Sequence, residues 1–211
     1  MKNYSFLTAE NAYIWRIVRR SDMFWLIKNG LHCANNIPPD KNYKTMGNEE
    51  LIAKRNTKTV PIGNGGVLND YVPFYFTPFS PMMYNIHTGY NGITKVDNED
   101  VVILVASLND LKDTPIDFVF TNMHAYMVYT KFYSELEHLD EIDWGILQRC
   151  NFTGRNMERY QAEALIYQHL PINQLRAIVC YSENVKSEIE SYLKQHNLVV
   201  RVEVAKYMYF K

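Results

Sequence analysis

A chain of 211 residues with 47% hydrophobic and 21% charged residues has the make-up of one globular domain, expected to span 1–211. It is long enough to bury a core without staples, and its composition suggests neither disorder nor a membrane class. The formal charge of −1 gives no overall attraction to nucleic acid, so any DNA contact must come from local basic patches. Cys33, Cys150 and Cys180 stand far apart in no metal-ligand arrangement and read as reduced thiols, and the opening MKNYSFLTAENAYIW lacks the apolar core of a signal peptide. With no window of membrane-spanning length, the expected place is the cytoplasm.

In chain order, Ala12 to Val18 is rich in aromatic and β-branched residues and reads as a strand. A helix follows, with Ser21 as its expected N-cap, Asp22 in its first turn and Gly30 as its stop. From Ala34 to Gly47 the Asn, Pro and Asp content cannot sustain a regular element, and a loop of that length in a compact domain suits a lid or binding segment. Asn48 then caps a helix, EELIAKRN, that delivers Lys54 and Arg55 near its end.

Beyond the turn-rich Gly63 to Gly66, the run from Tyr71 to Phe76 reads as a buried strand, with Pro73 placing it at a sheet edge or a bulge. Ser80-Pro81 opens a helix, a cap followed by proline at the first position. Val101 to Ser107 is the clearest buried strand, Asp117 to Asn122 a second, and Thr130 to Gln148 a polar, helical-looking stretch. AEALIY, LRAIVCYS, the amphipathic helix ENVKSEIESYLKQH and a closing strand LVVRVEVAKYMYF complete the chain. Strands and helices without strict alternation give an α+β class with a mixed or antiparallel sheet core and flanking helices. No P-loop, GxGxxG, HExxH or GxSxG is present.

The triplet Gln161-Ala162-Glu163 precedes the apolar ALIY. In a strand, residues two apart share a face, so Gln161 and Glu163 are expected to project together. A glutamate at the head of an apolar strand is costly to bury unless paired or functional; the alternative is a solvated edge glutamate.

YVPFYFTPFSPMMY closely resembles the signature of the DarT family, DNA ADP-ribosyltransferase toxins of bacterial toxin-antitoxin systems. WRIVRRSDMFWLIKNGLHC, KRNTKTVPIGNGGVLND, FVFTNMHA and RNMERYQAEALIY resemble further segments in the family's order, from Trp15 to Tyr167. The resemblance implies an ADP-ribosyltransferase-like fold and NAD⁺ used as a substrate, with no metal. It places Glu163 on the catalytic glutamate, Arg55 on its partner in the reaction, Tyr75 on the tyrosine that packs on nicotinamide and His124 at the start of the substrate-recognition loop. The segment Asn35 to Thr57 resembles the family's cofactor-covering element, making Lys41, Lys44, Lys54 and the neighbouring Lys58 candidates for phosphate or substrate contact. Where the family has a His-Ile-Thr run for the adenosine-side ribose, this chain reads Arg16-Ile17-Val18, so backbone contacts to NAD⁺ are expected to survive and side-chain contacts to change.

The function implied is transfer of ADP-ribose to a base of single-stranded DNA, thymidine before guanosine, by a monomer opposed by a DarG-like macrodomain antitoxin. A single-stranded acceptor is reasonable because a base in a duplex must first be extruded before its ring atoms can react. Alternatives on the same scaffold are RNA or protein acceptors and a catalytically inactive NAD or nucleic-acid binding module.

Overall fold

In the computed structural model, which describes residues 4–38 and 49–211, the chain forms an eight-stranded mixed sheet with a separate two-stranded ribbon and helices around both. The elements in order are β1 (Tyr13–Arg19), α1 (Met23–Asn29), β2 (Leu31–His32), α2 (Glu49–Arg55), β3 (Tyr71–Tyr75), α3 (Pro81–Thr88), β4 (Val101–Ser107), α4 (Leu108–Leu111) and β5 (Phe118–Thr121). They continue with β6 (Phe132–Tyr133), α5 (Trp144–Gln148), α6 (Met157–Tyr160), β7 (Glu163–Tyr167), β8 (His169–Leu170), β9 (Ala177–Cys180), α7 (Glu183–Gln195) and β10 (Val202–Val204). The sheet order is β10-β9-β4-β1-β3-β7-β5-β6, antiparallel throughout except for the β9–β10 pair, and β2 pairs with β8 in the ribbon.

The order follows from apolar content. All seven residues of VVILVAS in β4 are buried, as expected of an inner strand with both faces covered. In α7, Ser182 accepts the Val185 amide as N-cap, while Val185, Ile189 and Leu193 repeat at helical spacing and are buried. Gly30 ends α1 at φ +78°, where an added Cβ would meet His169 Nε2 at 2.3 Å and the Leu170 carbonyl at 2.8 Å; only glycine lets β2 start this close to β8.

Several sequence expectations need correction. Pro73 lies in an interior strand, not at an edge: β3 sits between β1 and β7. The proline is tolerated because β3 pairs along its whole length with β7 but meets β1 only at Trp15↔Tyr75. An N–H and C=O of one strand residue point the same way, and the Pro73 carbonyl accepts Arg16 Nη1 at 2.8 Å, so the absent N–H faces the same gap.

Ser21 is not a cap; it lies in a 3₁₀ turn (Arg20–Asp22), and Asp22 precedes α1 without a side-chain capping bond. Thr130 to Gln148 is not one helix but β6, a 3₁₀ helix (Leu136–Glu141) and α5. The closing strand shrinks to three residues, because a 3₁₀ turn (Lys206–Met208) follows. Ser80 caps α3 as expected, accepting the Met83 amide with Pro81 in the first turn. The expected cap Asn48 lies outside the described residues.

The alternation of β7 divides the interior in two. Ala164 and Ile166 join the main core, whereas Leu165 packs with Tyr71, Val119, Ala125, Val60 and Leu68 in a smaller cluster on the opposite face. By the same alternation Glu163 belongs to the face of the smaller cluster, as does Tyr75 opposite it.

Candidate active site

Glu163 begins β7 and is 2% exposed. Its Oε2 accepts Arg55 Nη1 at 2.9 Å and its Oε1 accepts the Ala125 backbone N–H at 2.9 Å. A buried carboxylate needs such donors, since each unmet acceptor would forfeit about 1–3 kcal/mol. With one donor on each oxygen, lone pairs remain on both for ribose hydroxyls or an acceptor base.

Three segments set this geometry. The strand end is locked by Thr121 of β5, fully buried, whose Oγ1 accepts the Glu163 amide at 3.0 Å and donates to the Met123 carbonyl at 2.7 Å. The loop after β5 folds back so that Ala125 presents its N–H, and it is tied at several points: Thr130 Oγ1 donates to the His124 carbonyl at 2.7 Å and Lys58 Nζ to the Met127 carbonyl at 3.1 Å. Finally, α2 delivers Arg55, 8% exposed, from the far side of the cleft.

Arg55 Nη2 is buried and has no hydrogen-bond partner among the described residues. An unmet guanidinium donor beside a buried carboxylate suits an anionic or hydroxyl-bearing ligand, so the residues present fit the diphosphate and ribose of a dinucleotide.

Tyr75 lies directly across from Glu163 in the β3–β7 register. Burial raises the pKa of its hydroxyl and the Glu163 charge adds to that, while the Arg55 and Arg16 guanidiniums pull the other way. These four side chains therefore share one electrostatic neighbourhood, though Tyr75 and Arg55 are distant in sequence from Glu163.

His124 opens the loop, its Nδ1 3.5 Å from Glu163 Oε1. That nitrogen accepts the Tyr126 N–H at 3.2 Å, which leaves the ring proton of the neutral imidazole on Nε2, and the His124 N–H donates to the Glu158 carbonyl at 2.8 Å.

The remaining expected residues divide. Arg16 reaches the site from β1, but the Ile17 and Val18 side chains are buried in the main core, so only the backbone there can meet a ligand. From Arg16 to Arg19 β1 pairs with β4 residue by residue, and its register with β3 is at Trp15↔Tyr75. Lys54 is half-exposed and paired with Glu50 at 2.6 Å, making no contact with Glu163. Lys58 Nζ donates to the Met127 carbonyl of the loop, and Lys41 and Lys44 lie outside the described residues.

Gln161 does not share the face of Glu163. It closes α6 in a non-extended conformation, its Nε2 donating to the Met157 carbonyl at 3.1 Å, so the strand starts only at Glu163. Thr121 and the Ala125 amide escaped the sequence reading. Thr121 was the legible one, a small polar residue closing an apolar strand. A separate cleft of about 620 Å³, lined by Tyr71, Asp117, Glu135 and Tyr167 among others, includes none of Glu163, Arg55, Tyr75 or His124.

Comparison with solved structures identifies the fold. The chain superposes on Thermus sp. 2.9 DarT in complex with ADP-ribosylated ssDNA with a TM-score of 0.87 and 30% identity, covering 100% of both chains. The same Thermus protein in complex with NAD⁺ matches with a TM-score of 0.81 and 31% identity over 95% of this chain and 98% of the other. The fold is therefore that of the ADP-ribosyltransferases, with Glu163 at the start of the sheet strand β7 and Arg55 reaching it from α2.

A family model described as "ssDNA thymidine ADP-ribosyltransferase, DarT" matches residues 15–210. A DNA ADP-ribosyl transferase of Escherichia coli O127:H6 is 49% identical over 209 residues, 97% of this chain and 96% of the relative. The chain belongs to the DarT family of DNA ADP-ribosyltransferases.

Proposed function

We propose that this chain transfers ADP-ribose from NAD⁺ to a thymidine base of single-stranded DNA, with Glu163 as the catalytic carboxylate and Arg55 as its partner. The observation that carries the reading is the buried carboxylate held between Arg55 and the Ala125 amide, with one guanidinium nitrogen still unmet. Cleavage of the bond between nicotinamide and ribose develops oxocarbenium character. A carboxylate fixed in a dry site stabilises that charge strongly, because a low local dielectric magnifies it and no reorganisation is needed at the moment of reaction.

Each neighbour has a part. Tyr75 offers its ring, across the strand pair from Glu163, as the surface on which the nicotinamide packs, which holds the scissile bond in reach. Arg55 places its free Nη2 on the phosphate or acceptor side. The backbone of Arg16-Ile17-Val18 is the candidate for the adenosine half, with Arg16 supplying charge in place of an imidazole. His124, close to the carboxylate, is positioned to meet the acceptor base, and Lys54 is the outlying candidate for contact with the strand.

The test is mass spectrometry of short oligonucleotides after incubation with NAD⁺. Strands containing thymidine gain one ADP-ribose, strands without it do not, and Glu163→Gln lowers the rate by at least about a thousandfold while the protein stays folded. Label confined to guanosine strands, RNA or protein overturns the acceptor assignment. A wild-type chain that releases no nicotinamide overturns the enzyme.

The same reading makes the chain a bacterial toxin acting where the DNA is, in the cytoplasm, and opposed by a macrodomain antitoxin that removes the modification. Growth arrest on expression, relieved by co-expressing such an antitoxin, is the expected result.

A further inference from the structure

We infer that the exposed turn 154–160, with the aromatic surface beside it, is the track that holds the single-stranded DNA flanking the target base; this rests on the function proposed above. With a net charge of −1 the chain must bind phosphates locally, and this turn concentrates the means. A 3₁₀ turn (Gly154–Asn156) runs directly into α6, so Arg155 and Arg159 stand four residues apart on one helical face, both exposed. Arg149, also exposed, lies just before them. Two acids oppose these charges: Glu158 is exposed on the same turn, and Asp143 approaches Arg159 at 3.8 Å. That pair is solvent-facing and weak, leaving its guanidinium able to exchange partners.

Phe152, two residues before the turn, belongs to a chain of rings. Tyr90, 58% exposed, lies 6.4 Å from Tyr84, 37% exposed; Tyr84 lies 5.7 Å from Phe152, and Phe152 5.2 Å from the buried Tyr160. Aromatic faces beside a row of cations form the usual composition of a surface for single-stranded nucleic acid, because every base has a face to stack and every linkage a charge to meet.

The turn is tied to the site through the backbone, while the Phe152 and Tyr160 rings pack on the main core side of the sheet. The Glu158 carbonyl accepts the His124 N–H, so the arginine-bearing turn is bonded to the loop that holds the Glu163 carboxylate. Tyr160 is only three residues before Glu163, and its hydroxyl donates to the Phe79 carbonyl at 3.1 Å, tying the ring row to the segment leaving β3. A strand whose target base reaches Glu163 has its neighbouring nucleotides beside this turn.

The experiment measures binding of a fluorescent thymidine-containing oligonucleotide to the whole chain by anisotropy over a series of salt concentrations. For single strands each phosphate contact contributes about 0.7 to the slope of log affinity against log salt, so the double variant Arg155→Ala/Arg159→Ala is expected to flatten the slope by about 1.4. Tyr84→Ala/Tyr90→Ala is expected to weaken binding roughly tenfold with the slope unchanged, since stacking releases no ions. NAD⁺ affinity and thermal unfolding midpoint stay at wild-type values in both, separating a DNA contact from a structural role.

An unchanged slope and affinity overturn the proposal. So does loss of binding to a macrodomain antitoxin with DNA binding intact, which would make this a protein-docking face. Failure of the proposed function reads differently: the wild-type chain would then leave DNA unmodified in the presence of NAD⁺, whatever the anisotropy of the variants.

Discussion

Thr121 is a buried hydroxyl that makes one bond in each direction, accepting the Glu163 amide and donating to the Met123 carbonyl. Valine has the same shape and neither capability, so Thr121→Val leaves a buried N–H and a buried C=O unmet. We expect a loss of about 1–3 kcal/mol in urea unfolding, and a fall in kcat because the carboxylate loses its fixed origin. Thr121→Ser, which keeps the hydroxyl, should recover most of both; equal damage from serine would show that the methyl group's packing is what matters. At this scale the sequence was legible where a side chain carries the chemistry. Glu163, Arg55, Tyr75 and His124 could be named from their segments, and they meet in space. The Ala125 donor could not, because it is a backbone amide whose direction is set by the loop and by no property of alanine.

Among the elements, legibility followed the strength of the local signal. The wholly apolar β4, the capped and periodic α7, and the Ser80-Pro81 start of α3 each carry within a few residues the physics that forms them. Ser80→Ala should accordingly lower stability by about 1 kcal/mol, read as a shift in the urea midpoint without a change in slope, because α3 would lose the acceptor for the Met83 amide. Pro73 misled because the rule that proline avoids inner strands concerns hydrogen bonds, not position. The sheet is split between β1 and β3, so β3 has an edge in its interior, and the Arg16 guanidinium fills the gap at the Pro73 carbonyl. Gln161 misled for a related reason: extending the strand back from ALIY ignores that α6 must finish its last turn before β7 begins.

Across the whole molecule, the buried members of its sixteen tyrosines make stability depend on pH. Burial first, then the nearby Tyr167, Asp70 and Asp117, pushes the Tyr71 hydroxyl up to about 12. The Tyr160 and Tyr209 hydroxyls are likewise raised, mainly by burial, and Tyr75 by burial and the Glu163 charge. A group that holds its proton more tightly when folded favours the fold only while the unfolded chain also keeps that proton. Above pH 10, the ordinary value for tyrosine, the unfolded chain sheds these protons and the folded one retains them, so stability declines as pH rises through the window from 10 to 12 for Tyr71 and continues to decline for the others. Unfolding midpoints in urea should therefore fall steadily over that range, with the share of tyrosinate absorbance that belongs to these four buried rings appearing only with loss of structure. Replacing Tyr71 with phenylalanine should remove its share of the decline, at the cost of the hydrogen bond its hydroxyl donates to the Gly65 carbonyl at 2.8 Å. If tyrosinate formed freely in the folded protein, these rings would be solvated. The cross-strand packing of Tyr75 against Glu163 would then have to be abandoned too, because both depend on the same dry face of the sheet.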